Sequence, residues 1–407
     1  MKMPEEFLED HGFTLAAHID RSRLIALFDA EMRAGLAGRP SSLAMIKTYI
    51  APTRTNLAGK KAVVLDAGGT NFRGAIVSIP PAISHKENRP MPGVEREVGE
   101  DEFYASFARE IERLKPYANT AKVGWCFSYP AATTPELDAR LIKWTKNIKA
   151  PAIVGQYVGS ELKRRAGIGE IAVINDTVAT LLAAKALEGD QLYSSYIGFI
   201  LGTGTNTAYV DKDLGMIVNA ESGAFDKVEL SAFDRAVDEK SGNPGQQFLE
   251  KMIAGAYLGN IGLEILRAAA KAGYFSSRAR GIISGLRTLS TKELGDFCAG
   301  DTDLGFSADD ARLARRFALP VFERAAVLAA VELAAFVIQS GEGIQADEPV
   351  AICIDGSTYY KTQAVDFAGI VKRELDDMLV RRRNVHYRIV PKVEDAPMIG
   401  AAIAAMI

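Results

Sequence analysis

Only three cysteines are spread over 407 residues, Cys126, Cys298 and Cys353. No two of them make a CxxC pair, which argues against a zinc site or a dithiol redox centre. Cys126 and Cys353 lie inside apolar runs, the pattern of buried thiols in a reducing compartment. The four histidines are scattered and give no HExxH and no convincing triad. Charge of one sign is scarce as well: the net formal charge is -3, and Arg381-Arg382-Arg383 is the only basic run. It reads as a solvated face rather than an anion patch. Basic residues do not cluster with interleaved aromatics, so no nucleic-acid partner is expected. Long apolar runs are missing too. The most apolar helical stretch, 325–339, contains Glu332 and is too short to span a bilayer. Residues Met1 to Asp10 are acidic and have no apolar signal core. A soluble cytoplasmic protein without a membrane partner is the expectation.

There is no low-complexity segment and no Pro/Gly-rich linker, so a domain boundary has to be sought at a turn. A chain of this length holds two or three domains. The first segment, to about Gly59, reads helical, with Leu24, Leu27, Phe28 and Met32 on one face. Strands are expected at 123–129, ended by Pro130, at 171–174, at 351–354 and at 387–390. Helices are expected at 103–115, 178–187, 248–272, 291–298, 308–339, 365–380 and 398–407. Ser307-Ala308-Asp309-Asp310 reads as a capping-box start. Buried strands alternating with helices argue for an α/β class with mostly covered sheets, and the turn at Asn175-Asp176 is the expected lobe boundary.

Two stretches look like copies of one device. The first is an apolar strand, the turn Asp66-Ala67-Gly68-Gly69-Thr70-Asn71, and a second strand containing Arg73; the second is an apolar strand, Gly202-Thr203-Gly204-Thr205-Asn206, and a strand. Such turns leave backbone N–H groups free to converge on an anion with no Cβ in the way. Two of them suggest half-sites that grip one phosphorylated ligand. A carboxylate at Asp66 beside a phosphate needs a cation between them, and hydrated Mg²⁺ suits the place; Arg73 can pair with a phosphoryl oxygen. The same residues also fit an Asx turn with a surface arginine. Asp176 opens a helix and fits either an N-cap or a general base at the end of a buried strand. Asn175 suits a ligand hydroxyl. Lys146, Glu221 and Glu250 are surface residues by default, although carboxylates and amides together suit a polyhydroxylated ligand. GxxxxGK[ST] is absent, and Gly202-Thr203-Gly204 does not open a helix, which disfavours P-loop and Rossmann sites.

In their order along the chain these motifs resemble the hexokinase/glucokinase family from about Ser41 onward. Leu65 to Arg73 is similar to the family's first phosphate motif, and Gly202 to Asn206 to its second. Phe127-Ser128-Tyr129-Pro130 with Trp144-Thr145-Lys146 resembles the sugar signature, and Val173 to Thr180 the catalytic strand-to-helix turn. Asp238 to Met252 resembles a further block, and Ile354-Asp355-Gly356-Ser357 the adenosine motif. The resemblance implies a two-lobed actin-like ATPase (ribonuclease H-like) α/β fold, with 60–174 as the small lobe, a helix 396–407 returning to it, and 1–59 with 175–395 as the large lobe. It implies a glycolytic kinase moving the γ-phosphoryl group of Mg-ATP to the 6-hydroxyl of a hexose, glucose first, in a monomer or homodimer. Carried over, Asp176 is the base and Arg73 its catalytic partner. Ser128, Thr145, Lys146, Asn175, Asn206, Glu221 and Glu250 line the sugar. Asp66, Gly68, Gly69, Thr70, Asn71, Thr203 and Gly204 hold the phosphates, with Gly356 and Ser357 near the adenosine. No residue ligates a metal directly; Mg²⁺ is held through ATP and water near Asp66 and Asp176.

The chain departs from the family pattern at several places. Ser222 stands where the family usually has Trp, Asp226 where it has Gly, and Asn147-Ile148 where Gly-Phe is common. Ala131-Ala132-Thr133 replaces the usual run after the Ser-Phe-Pro type motif, and Ala256 stands where some members place Lys. These positions bear on sugar choice. A kinase of the same fold for mannose, fructose or glucosamine is the alternative, and a non-catalytic sugar sensor a further one. Retention of Asp66, Arg73 and Asp176 weighs against a sensor, which needs no base.

Overall fold

The apolar runs on either side of the two glycine turns each become the centre of a sheet. A computed structural model of the chain describes residues 2–51, 57–144, 147–186 and 191–407. Its strands in chain order are β1 (Ile46–Lys47), β2 (Lys61–Ala67), β3 (Asn71–Ser78), β4 (Ala82–Pro90), β5 (Lys122–Phe127), β6 (Ala131–Thr133), β7 (Ala139–Leu141), β8 (Glu170–Ile174), β9 (Ser195–Leu201), β10 (Thr205–Asp211), β11 (Met216–Asn219), β12 (Val350–Asp355) and β13 (Tyr387–Ile389). One sheet has the order β4-β3-β2-β5-β8 and the other β1-β11-β10-β9-β12-β13, with β6 and β7 forming a separate hairpin. Both sheets follow one plan. The glycine turn joins an antiparallel pair, β2 with β3 and β9 with β10, and the first strand of each pair is flanked on its other side by parallel strands. The parallel strands are buried along most of their length, as strands covered on both faces must be. The outer strand β4 is charged and largely exposed, which discourages edge pairing with another chain.

Two helices lie between the sheets. Asp176–Lys185 packs on β9, β10 and β12, and Ala396–Met406 packs on β2, β5 and β8; the two also pack on each other. They approach so closely that a side chain at Gly400 would overlap the carbonyl of Ala179. The long helix Ala308–Ser340 supports the six-stranded sheet through β10 and β9. No helix among the described residues is long and apolar enough to cross a membrane. All three cysteines are buried and unpaired with one another.

Several expectations need correction. Helix in the first segment stops at Leu36; beyond it Leu43, Met45 and Ile50 are buried from non-helical chain that pairs through β1 with β11. Strand β5 ends at Phe127, two residues short of the expected Tyr129, because the Tyr129 N–H turns back to the Phe127 carbonyl. The expected helix 248–272 is two helices, Phe248–Ile253 and Leu258–Lys271. Between them the N–H groups of Gly255 and Ala256 donate to the carbonyls of Gly202 and Thr203, so the glycine turn takes the bonds that would have continued the helix. Ser307 caps its helix by accepting from the Asp310 N–H at 3.2 Å. The Asp310 carboxylate in turn accepts from the Ser307 hydroxyl, not from its N–H as a capping box requires, and also from the N–H and hydroxyl of Ser276.

One buried ion pair ties the helix Ala232–Glu239 to the long helix. Arg324 donates two hydrogen bonds to Asp234 at 2.7 and 2.8 Å, and its guanidinium stacks 4.0 Å from the Phe13 ring centroid. Both side chains are 1% exposed. Burial pushes the Asp234 carboxyl up, and Arg324 with Ser231 outweighs that to hold it below its ordinary range. Asp234→Ala leaves an uncompensated buried guanidinium and is expected to destabilise the fold by about 3–5 kcal/mol, read from the denaturant midpoint.

Candidate active site

Strand register brings the first carboxylates together. Asp66 on β2 is opposite Cys126 on β5, and Cys126 is opposite Ile174 on β8; Asn175 and Asp176 follow directly. Asp66 and Asp176 therefore flank the same C-terminal edge of three parallel strands, the edge where open α/β sheets bind ligands. Cys126 lies between them, and burial first, then both carboxylates, push its thiol well up. Asn175, not Asp176, is the N-cap: its Oδ1 accepts from the Thr177 N–H at 2.8 Å. Asp176 is the first helical residue, so its carboxylate is spared the capping duty and sits at the positive end of the helix dipole.

The first glycine turn is closed by the Gly68 N–H donating to the Asn71 carbonyl at 3.0 Å, and by the Tyr129 hydroxyl donating to the Gly68 carbonyl. The Thr70 carbonyl accepts from Met91, while the side chains of Thr70 and Asn71 face solvent beside Gly69. Arg73 is held by two carboxylates, donating from Nε to Asp66 at 3.0 Å and from Nη1 to Asp395 at 2.9 Å. Lys86 also bonds Asp395, at 2.7 Å. Asp395 has a left-handed φ of 55° and immediately precedes the helix Ala396–Met406. Asp395 belongs to no sequence motif and is far from Arg73 along the chain, whereas Tyr129 and Gly68 stand in two separate motifs that only the fold brings together.

The second turn meets two other segments. Gly202 N–H donates to the Gly204 carbonyl at 2.9 Å, and the Gly202 carbonyl accepts from the Gly255 N–H and from Thr358 Oγ1. Gly356, with φ 123°, packs against the end of β9, where a Cβ would overlap the Leu201 carbonyl. Beside this junction a cavity of about 570 Å³ is lined by Thr203, Gly255, Ser290, Thr291, Phe322, Ser357, Tyr360 and Lys361, a size in the range of small-ligand pockets. Thr203 and Ser357 were legible in the motifs. Ser290, Thr291, Phe322 and Lys361 carry no sequence signal and reach the cavity only through packing of the helices.

Facing Asp176 is a cluster of amides and carboxylates. Asn206 Nδ2 donates to Asn219 Oδ1 at 2.8 Å, and Asn219 Nδ2 donates to Glu221 Oε1 at 2.8 Å. Glu221 has φ 56°, and burial, then the charge of Asp176, raise its carboxyl above the ordinary range. Glu250 Oε2 accepts from the Thr205 N–H at 3.1 Å; burial, then the Glu221 charge, raise it too. A Cβ on Gly204 would crowd this carboxylate, which accounts for the glycine. Both glutamates are partly buried, correcting their reading as surface carboxylates. Lys251, 2% exposed, bonds Asp238 and the Asn243 carbonyl and so fastens the 238–245 loop to the helix of Glu250. A recess lined by Tyr129, Thr133, Asn175, Asn219 and Glu221 joins this cluster to the end of β8. Ser128 lies beyond β5, 3.8 Å from the Cys126 sulfur. Thr145 and Lys146 fall outside the described residues. Among the described residues no three His, Cys, Asp or Glu side chains are grouped to hold a metal.

Comparison with known proteins identifies the family and the fold. Two family profiles, both described as hexokinase, match residues 16–186 and 196–407. Hexokinase-1 of Spinacia oleracea is 35% identical over 288 residues, 60% of this chain and 56% of that protein. Hexokinase-1 of Schizosaccharomyces pombe is 31% identical over 64% of this chain and 60% of its own. The chain thus spans little more than half the length of these curated relatives. Among solved structures, a Schistosoma mansoni hexokinase complexed with glucose superposes with a TM-score of 0.78 at 24% identity, covering 100% of both chains. That likeness shows the two-lobed actin-like ATPase fold. The profile match over 196–407 alone takes in more than half of the sequence, and with it the chain belongs to the hexokinase family.

Proposed function

We propose that this protein transfers the γ-phosphoryl group of ATP to the 6-hydroxyl of a hexose, with glucose as the first candidate. The observation that carries the reading is the position of Asp176. It lies just past the buried strand β8, starts a helix, and acts electrostatically on Glu221 just past β11, on Asp355 at the end of β12 and on Cys126 of β5 beside Asp66. A carboxylate so placed is within reach of both glycine turns and of the amide–carboxylate cluster. In this reading Asp176 accepts the proton of the attacking hydroxyl. Asn175, Asn206, Glu221 and Glu250 hold the other hydroxyls, joined by Asn219 and by Ser128, Thr145 and Lys146. The turns at Gly68–Asn71 and Gly202–Gly204 hold phosphates, Arg73 neutralises the moving phosphoryl group, and Gly356 and Ser357 border the nucleoside. Mg²⁺ bound with the nucleotide offsets phosphate charge. Asp66 and Asp176 suit it as partners through water, since Asp66 already accepts from Arg73.

The lobe division that goes with this reading places 60–174 and 396–407 on one side of the cleft and 1–59 with 175–395 on the other. It is supported by the packing of the helix Ala396–Met406 on β2, β5 and β8. The three buried free thiols favour a reducing, cytoplasmic setting. Water competes with the sugar as acceptor, so a site completed by sugar binding protects ATP. The test is ADP release with Mg-ATP and a panel of glucose, mannose, fructose and glucosamine, beside a sugar-free control. Turnover with at least one hexose and little without is expected. Rapid hydrolysis independent of sugar, or no turnover with any of the four, rejects the reading.

A further inference from the structure

The amide of Asn206 is fixed from behind. Its Oδ1 accepts from the backbone N–H of Thr207 at 2.8 Å and of Ser222 at 3.2 Å. Those two bonds decide which way the amide faces, and they leave Nδ2 to point at Asn219 and Glu221. Thr207 and Ser222 are fully buried, and their side chains meet a third buried residue, Glu332, from the long helix Ala308–Ser340. Thr207 Oγ1 donates to Glu332 Oε1 at 2.6 Å. The other oxygen, Oε2, is buried without a hydrogen-bond partner, and so is Ser222 Oγ. An ionised carboxylate there would be costly, and burial pushes the Glu332 carboxyl up to about 7. Its neutral form carries one acceptor and one donor, which matches a threonine hydroxyl on one side and an unpartnered serine oxygen on the other.

We propose that Glu332 is a positioning residue for the hexose: it bonds the Thr207 hydroxyl and abuts Ser222 from inside the core, and through the N–H groups of those two residues it aims the Asn206 amide at a sugar hydroxyl. The inference rests on the sugar-site reading above. Glu332 itself touches no substrate. A glutamate on an otherwise apolar helix face is explained by this contact, since an aliphatic residue would fill the space but leave the Thr207 hydroxyl unpaired.

The test compares wild type, Glu332→Leu, Glu332→Gln and Thr207→Val by glucose titration calorimetry, steady-state kinetics and unfolding midpoint. Glu332→Leu is expected to raise Kd and KM for glucose by about tenfold while KM for ATP stays within about twofold. Glu332→Gln, which keeps one acceptor and one donor, is expected to return glucose binding to within about threefold of wild type. A folded Glu332→Leu protein with wild-type glucose affinity overturns the proposal. So does an equal loss in the Leu and Gln variants accompanied by a parallel rise in KM for ATP, the mark of a general structural role. If Glu332→Leu does not fold, Thr207→Val carries the test, and unchanged glucose affinity in that variant overturns the proposal. Absence of hexose binding by the wild type rejects the sugar-site reading and this proposal together, whereas binding with the variants unaffected rejects only the proposal.

Discussion

Asp176→Ala is expected to lower kcat for hexose phosphorylation by about 10²–10⁴-fold, the usual contribution of a general base, while hexose Kd changes only a few-fold. The split follows from the local structure. Helix capping belongs to Asn175, through its bond to the Thr177 N–H, so removing the Asp176 carboxylate leaves the helix start intact. The amides of Asn206 and Asn219, placed at the sugar in the proposed reading, bond each other and Glu221, not Asp176, so their arrangement does not depend on it. The measurement is kcat by coupled ADP release beside glucose Kd by calorimetry. Wild-type turnover in the variant removes Asp176 from the role, and loss of glucose binding in parallel with kcat makes it a binding residue instead.

Arg73→Ala is expected to lower kcat by about 10²–10³-fold, the scale for losing one preorganised donor to developing charge. It also leaves the buried Asp66 and the partly buried Asp395 facing each other's side of the site without their shared cation, so the melting temperature should fall as well. Arg73→Lys separates the two effects. It keeps a positive charge near Asp66 but not the planar fork that reaches Asp66 and Asp395 at once. Recovery of the melting temperature with kcat still depressed is the expected result. An Arg73→Ala protein with normal kcat contradicts the proposed contact with the moving phosphoryl group.

The parts of this site that the sequence displays are those whose chemistry is local. A glycine turn between two apolar strands is visible because strand, turn and strand are adjacent residues, and both hairpins form as expected. Asn175-Asp176 is visible because a buried strand ends there, although which of the two caps the helix depends on side-chain rotamers that no pattern encodes. Glu221 and Glu250 looked like surface carboxylates because their burial comes from elements elsewhere in the chain: the β10 turn at Gly204 meets one, and Asp176 faces the other. The helix break at Ala254–Tyr257 was hidden for a related reason. Gly255 is the one local signal inside it, but an isolated glycine is tolerated in a helical pattern, and it is carbonyls of the Gly202 turn that take the helical bonds. Asp395 and Glu332 stand in stretches with no motif, and each acquires its meaning from long-range hydrogen bonds, from Arg73 and Lys86 in the first case and from Thr207 in the second.

The helix Ala396–Met406 has a consequence for biosynthesis. Strands β2, β5 and β8 leave the ribosome long before this helix, yet it is the element that covers their inner face with Ile399, Ala401, Ala402 and Ile403. Until it arrives, the five-stranded sheet presents bare apolar surface, the kind of exposure that chaperones recognise. Arg73 waits equally long, because its second carboxylate, Asp395, is the residue just before that helix. Closing of the core and orientation of the guanidinium are then one late event, since both wait for residues 395–406 to emerge.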